Sequence, residues 1–314
     1  MLQDKPVRVD AKTFQHTLGK LGEALVQQVF REGDTHAGLP RNVCDDIAMM
    51  LRYSLSVYHL LFYLNADVRR REDTDWRIDY GVTAMFLVRS LIDCLYNITA
   101  ILDAPREAGP AYRKSGMQKI LKDLDEDQAK YGGQPNWDAY ITQRRKAVET
   151  LITMSGFTLA EVQAQHPWRT LGKYLSQLHP GGSLTPHQQF LKTFTHLGWR
   201  QYSALSHGAY EAFSGTMGHV PVGAYYVTNF LPHENRPKVE ESYDIFLSSH
   251  MARAATVLLS IVTELQAYCR FQGHQINERI CEVWAALIPL FEAKELYDGR
   301  YEKLMAERGI STIK

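Results

Sequence analysis

Apolar residues return along most of this chain at intervals of three and four rather than two, the spacing of one helix face. That period predicts helices over 11–32, 41–71, 78–103, 113–131, 136–155, 158–164, 168–178, 186–213, 239–272 and 276–307. The sharpest start is Thr185-Pro186-His187-Gln188: Thr185 is placed to cap, Pro186 suits the first helical position, and Gln188 closes a capping box. Gly273 is expected to end the penultimate helix and Pro289 to kink the last one. Turns are expected at Gly132-Gly133-Gln134-Pro135 and at His179-Pro180-Gly181-Gly182.

One stretch, 214–238, breaks the helical pattern and reads as a long ordered loop, with a short hairpin over Val220–Phe230 as the alternative. Val220, Val222, Tyr225, Tyr226, Val227, Phe230 and Leu231 need burial there, while Gly215, Gly218, Pro221, Gly223 and Pro232 resist helix. It is expected to fold over the end of the 186–213 helix, or else to pack on a second subunit. The fold class is therefore all-α: a multi-helix bundle in a single domain over 1–314, its core at about 41–103 and 186–272. The more polar segment 104–184 forms a satellite of shorter helices. Its acidic cluster around Asp123–Asp127 and the triplet Arg144-Arg145-Lys146 read as solvated faces.

Composition narrows the function classes. Hydrophobic residues make up 45% and charged residues 22%, enough to bury a real core, which excludes a disordered chain or a small disulfide scaffold. Lys+Arg and Asp+Glu are equal at 35 each, so no global pull toward nucleic acid or an anionic membrane follows. The polar start lacks a secretory signal, and the apolar stretch from Val82 to Leu102 carries Arg89, Asp93 and Asn97, so a cytoplasmic protein with no membrane partner is expected. Cys44, Cys94, Cys269 and Cys281 form no CxxC pair and read as buried free thiols. No phosphate-binding glycine loop, nucleophile elbow, dinucleotide fingerprint, HExxH or paired ExxH motif occurs, so neither a cofactor nor a metal is expected.

The candidate chemistry lies on polar stripes. His196, Arg200, Ser203 and His207 share a narrow sector of the 186–213 helix, opposite Leu191, Phe194, Tyr202, Leu205 and Ala209. Two histidines and an arginine so spaced can converge on an anion such as phosphate; the alternative is a face turned to water. Arg52, Ser56, His59 and Tyr63 form a similar stripe on 41–71. On 78–103, Arg89 and Asp93 are four apart with Asn97 a turn further on, and charges in so apolar a helix must pair or face a cavity.

The run Trp199-Arg200-Gln201-Tyr202-Ser203-Ala204-Leu205-Ser206-His207-Gly208 resembles the motif of the HEPN superfamily, an arginine followed by a polar residue and then, a few residues on, a histidine. With the Arg89…Asp93 helix it is also similar to bacterial helical families related to HEPN. The resemblance implies a metal-independent endoribonuclease or a nucleotide- or RNA-binding protein of a stress or defence system, with two motifs facing each other across a homodimer. Arg200 would hold the scissile phosphate and His207 act as general base or acid. Asp93 would orient that pair, with Arg89 and Asn97 beside it and His196 and Ser203 as accessory phosphate contacts. The competing expectation is a non-enzymatic helical scaffold that binds a protein partner or small ligand, with Arg89/Asp93 and Arg200/His207 as internal ties. Zero net charge favours the scaffold, and a stripe free of Lys–Glu alternation favours the nuclease.

Overall fold

A computed structural model describes residues 11–68, 74–176, 184, 186–194, 236–272 and 275–310. In chain order the helices are α1 (Ala11–His36), α2 (Arg41–Val68), α3 (Thr74–Asp103), α4 (Pro105–Tyr131), α5 (Pro135–Met154), α6 (Leu159–Gln163), α7 (Leu171–Ser176), α8 (Pro186–Phe194), α9 (Arg236–Cys269), α10 (Ile276–Leu287), α11 (Phe291–Leu296) and α12 (Glu302–Glu307), with a π-helical turn at Tyr297–Tyr301 before α12. Among the described residues there is no strand, and the all-α multi-helix fold follows.

The three-and-four spacing becomes the core. Phe14, Leu18, Leu21, Leu25 and Val29 of α1 are buried, as are Val43, Ile47, Leu51, Leu55 and Tyr58 of α2 and Val88, Leu91, Leu95 and Ile98 of α3. Every residue from Ala254 to Ala267 on α9 is buried, the signature of a helix enclosed on all sides. α9 packs against α1, α2, α3 and α10. Its polar side chains are satisfied locally: Thr256, Ser260 and Thr263 donate to carbonyls four residues back at 2.7–2.8 Å. Trp284 of α10, fully buried, donates its indole N–H to Thr263 Oγ1 at 3.0 Å.

α4, α5 and α6 form the satellite around their own apolar cluster, which includes Met117, Leu121, Ile141 and Ile152. α4 docks on α2 and α3. A Cβ on Gly109 would stand 2.2 Å from Val43 Cγ2, so only glycine allows this approach. Arg113 locks it, with two hydrogen bonds to the Asp46 carboxylate at 2.9 Å and one to the Asn42 carbonyl at 2.8 Å.

Several boundaries differ from the sequence expectation. α4 starts at Pro105 rather than 113, because Pro105 suits a first helical position and the helix runs on through Pro110, where no apolar period marks it. α1 continues to His36, and α3 begins at Thr74. α7 is shorter than 168–178, since residues 165–170 are held outside any helix by bonds to α4. α9 spans Arg236–Cys269, three residues earlier at each end; Arg270 adopts a left-handed φ of 53° and turns the chain before Gly273 is reached. Residues 236–238 of the expected loop are thus helical, and the rest of that loop lies outside the described residues. Pro289 does more than kink the last helix: α10 stops at Leu287 and α11 starts at Phe291. Two segments, Arg41–Asn65 and Thr83–Asp103, are long and apolar enough by composition to cross a membrane; here both are bundle helices, the most apolar window of the second being 61% buried.

α9 also encloses His250, whose imidazole burial and the neighbouring Arg253 push from 6.5 down to about 3. The unfolded chain takes up this proton as pH falls below 6.5, whereas the folded chain refuses it until about 3. Stability present at neutral pH is therefore lost across that window, by up to about 1.4 kcal/mol per pH unit. Urea unfolding between pH 7 and 4 is expected to show a shallower pH slope for His250→Gln than for wild type, and equal slopes would contradict this.

Candidate functional site

Of the seven residues singled out in the sequence, Arg89, Asp93 and Asn97 fall on α3, while His196, Arg200, Ser203 and His207 lie outside the described residues, as does the expected approach of Asp93 to Arg200 or His207. Arg89 Nη2 and Asp93 Oδ1 form an ion pair of 3.2 Å one helical turn apart. Burial pushes the Asp93 carboxyl up and the Arg89 guanidinium down, and their mutual attraction opposes both shifts. Asn97 points to a different partner: its Oδ1 accepts the Trp168 indole N–H at 2.9 Å. On α2, Arg52, Ser56 and Tyr63 are exposed and His59 is half-buried, and Ser56 Oγ donates back to the Arg52 carbonyl at 3.0 Å.

The four thiols are free, and all but Cys281 are buried. Burial pushes Cys44 up to about 11 and Cys269 up to about 12, so neither is a nucleophile at neutral pH. Among the described residues no three His, Cys, Asp or Glu side chains converge to hold a metal ion.

The Asn97–Trp168 bond leads to a feature that the sequence pattern hid. α4 grips the segment after α6: Gln118 Nε2 donates to the carbonyls of Gln163 and Gln165 at 2.8 and 2.6 Å, and the Trp168 backbone N–H donates to Ser115 Oγ at 2.6 Å. The Tyr96 hydroxyl donates to the Arg169 carbonyl at 2.9 Å. The segment is thereby held off the C-terminal end of α3, leaving a cleft of about 310 Å³ walled by Tyr96, Trp168 and Tyr174, with Ala100 between and Asp103 and Arg169 at its charged positions. The Tyr96 and Tyr174 ring centroids are 5.8 Å apart at 47°. Tyr112 meets the Trp168 ring in a T-shaped contact with centroids 5.3 Å apart.

The signals for this cleft in the sequence were faint. Asp103 closes an apolar helix that has no basic residue in its last turn, and Trp168-Arg169, which the period assigned to the start of a helix over 168–178, stand outside any helix. A second hollow of about 220 Å³ lies in the satellite among Leu121, Asp125, Arg145 and Glu149. Two of its charges are engaged with each other, Arg145 Nη2 standing 2.6 Å from Asp125 Oδ1. No family model matches the chain, and neither a curated protein nor a solved structure is similar to it.

Proposed function

We propose that this chain is a non-enzymatic helical scaffold that binds a small ligand in the cleft between the C-terminal end of α3 and residues 165–174. The observation that carries this reading is the contrast along α3 itself. Arg89 and Asp93 are joined to each other and Asn97 is bonded to Trp168, so these candidates act as ties. A turn beyond Asn97, the cleft offers aromatic surface and two charges to an occupant.

A second reading, a metal-independent RNA-cleaving protein of HEPN type acting as a homodimer through Arg200 and His207, draws on one observation. The Asp93 side chain stays 41% exposed and, beyond its bond to Arg89, keeps acceptor capacity for an arginine or imidazole. Incubating mixed RNA with the protein in EDTA, beside His207→Ala, separates the two. The scaffold reading expects intact RNA in both samples. Cleavage by wild type that the variant loses would overturn it in favour of the nuclease.

A further inference from the structure

We propose that the cleft takes a small zwitterion of amino-acid size with an aromatic or apolar body, its ammonium at Asp103 and its carboxylate at Arg169. This inference rests on the cleft being a binding site, and it names what the lining selects.

The aromatic wall comes first. The Tyr96 hydroxyl is bonded to the Arg169 carbonyl and the Trp168 N–H to Asn97, so their polar tips are already engaged within the protein. What these two side chains offer an occupant is ring surface, which suits a flat or apolar body. The volume of about 310 Å³ stands at the small end of the range for ligand sites, which is about 300–1,000 Å³, and excludes a large polymeric ligand from full enclosure.

The charges narrow the class further. Asp103 and Arg169 both line the cleft and both are exposed. Among the described residues neither lies within ion-pair distance of the other or of any opposite charge. Arg300, whose charge acts on Asp103, is held by both oxygens of Glu264. A ligand carrying only a cation finds a partner at Asp103 and none at Arg169, and one carrying only an anion finds the converse. A zwitterion satisfies both, with His166 at the rim as a further hydrogen-bonding group.

The test is calorimetric titration of the whole chain with L-phenylalanine, phenethylamine and 3-phenylpropanoate, which share a body and differ by one charged group each. Phenylalanine is expected to bind at least about tenfold more tightly than either analogue, the scale of a charge-assisted hydrogen bond. Asp103→Asn is expected to weaken phenylalanine and phenethylamine while leaving 3-phenylpropanoate unchanged, and Arg169→Gln to weaken phenylalanine and 3-phenylpropanoate while leaving phenethylamine unchanged. Both positions are exposed, so the fold should tolerate them. Equal binding of all three compounds would overturn the zwitterion inference and leave the cleft as a binding site. Binding of none would overturn the inference, while the reading beneath it stands or falls on the RNA test.

Discussion

Glu264→Ala is expected to destabilise the protein by about 3–5 kcal/mol, the cost of leaving one member of a buried ion pair alone. Glu264 sits within the enclosed stretch of α9, its side chain 7% exposed, and receives Arg300 Nε at 2.5 Å and Nη2 at 2.9 Å. Burial pulls the Arg300 guanidinium down, but the hydrogen bonds to Glu264, the attraction of its charge and smaller contributions from Tyr301 and Asp103 together outweigh it and hold the group above its ordinary value. Arg300 belongs to the π-helical turn and also lies over the Phe190 ring at 5.1 Å, so one residue joins α9, the C-terminal helices and α8. Removing the carboxylate strands that cation beside the fully buried Tyr301. Guanidinium-induced unfolding checks this, and the double variant Glu264→Leu with Arg300→Met should recover most of the loss, because paired charges exchanged for apolar side chains are often neutral. A loss below about 1 kcal/mol for the single variant, the scale of a surface pair, would contradict the assignment.

Arg113→Ala is expected to cost a similar amount, about 3–5 kcal/mol, through a different part of the molecule. It leaves Asp46, 8% exposed, without its bidentate partner, and frees the Asn42 carbonyl and Ser155. Because α4 also holds residues 163–168 through Gln118 and Ser115, loosening it should widen the cleft as well as lower stability. Hydrogen exchange is the appropriate measurement: amides of α4–α6 and of the segment around Trp168 should lose protection before those of α9. Uniform loss across both regions would show that the satellite is not an independently opening unit.

These ties show what the sequence discloses and what it conceals. The all-α class and the core faces were readable because burial follows the helical period, as Leu18, Leu21 and Leu25 on α1 do. The pairing of Arg89 with Asp93 was readable because four residues apart on a helix means adjacent in space. Glu264 carried the same signal, a lone carboxylate in an apolar run, but its partner lies 36 residues away and no local spacing announces it. Asp46 and Arg113, 67 apart, are concealed for the same reason. The start of α4 escaped because nine residues from Pro105 to Arg113 contain too few apolar positions to show a period. The cleft was invisible because it is built where a helix fails to continue: Trp168 is fixed by backbone and side-chain bonds to α3 and α4 rather than by its neighbours in sequence.

The most direct test of the account asks where a small aromatic ligand binds. The chain has five tryptophans, and each indole N–H gives its own nitrogen-15 resonance, with Trp168→Phe identifying the one in the cleft. Adding L-phenylalanine, phenethylamine or 3-phenylpropanoate in turn should shift the Trp168 indole signal with at least one of them while the other four stay in place, as expected for a site between α3 and residues 165–174. A shift confined to another indole, such as Trp199, the neighbour of Arg200 in the chain, with that of Trp168 unmoved, would contradict the assignment of the cleft as the binding site of this protein.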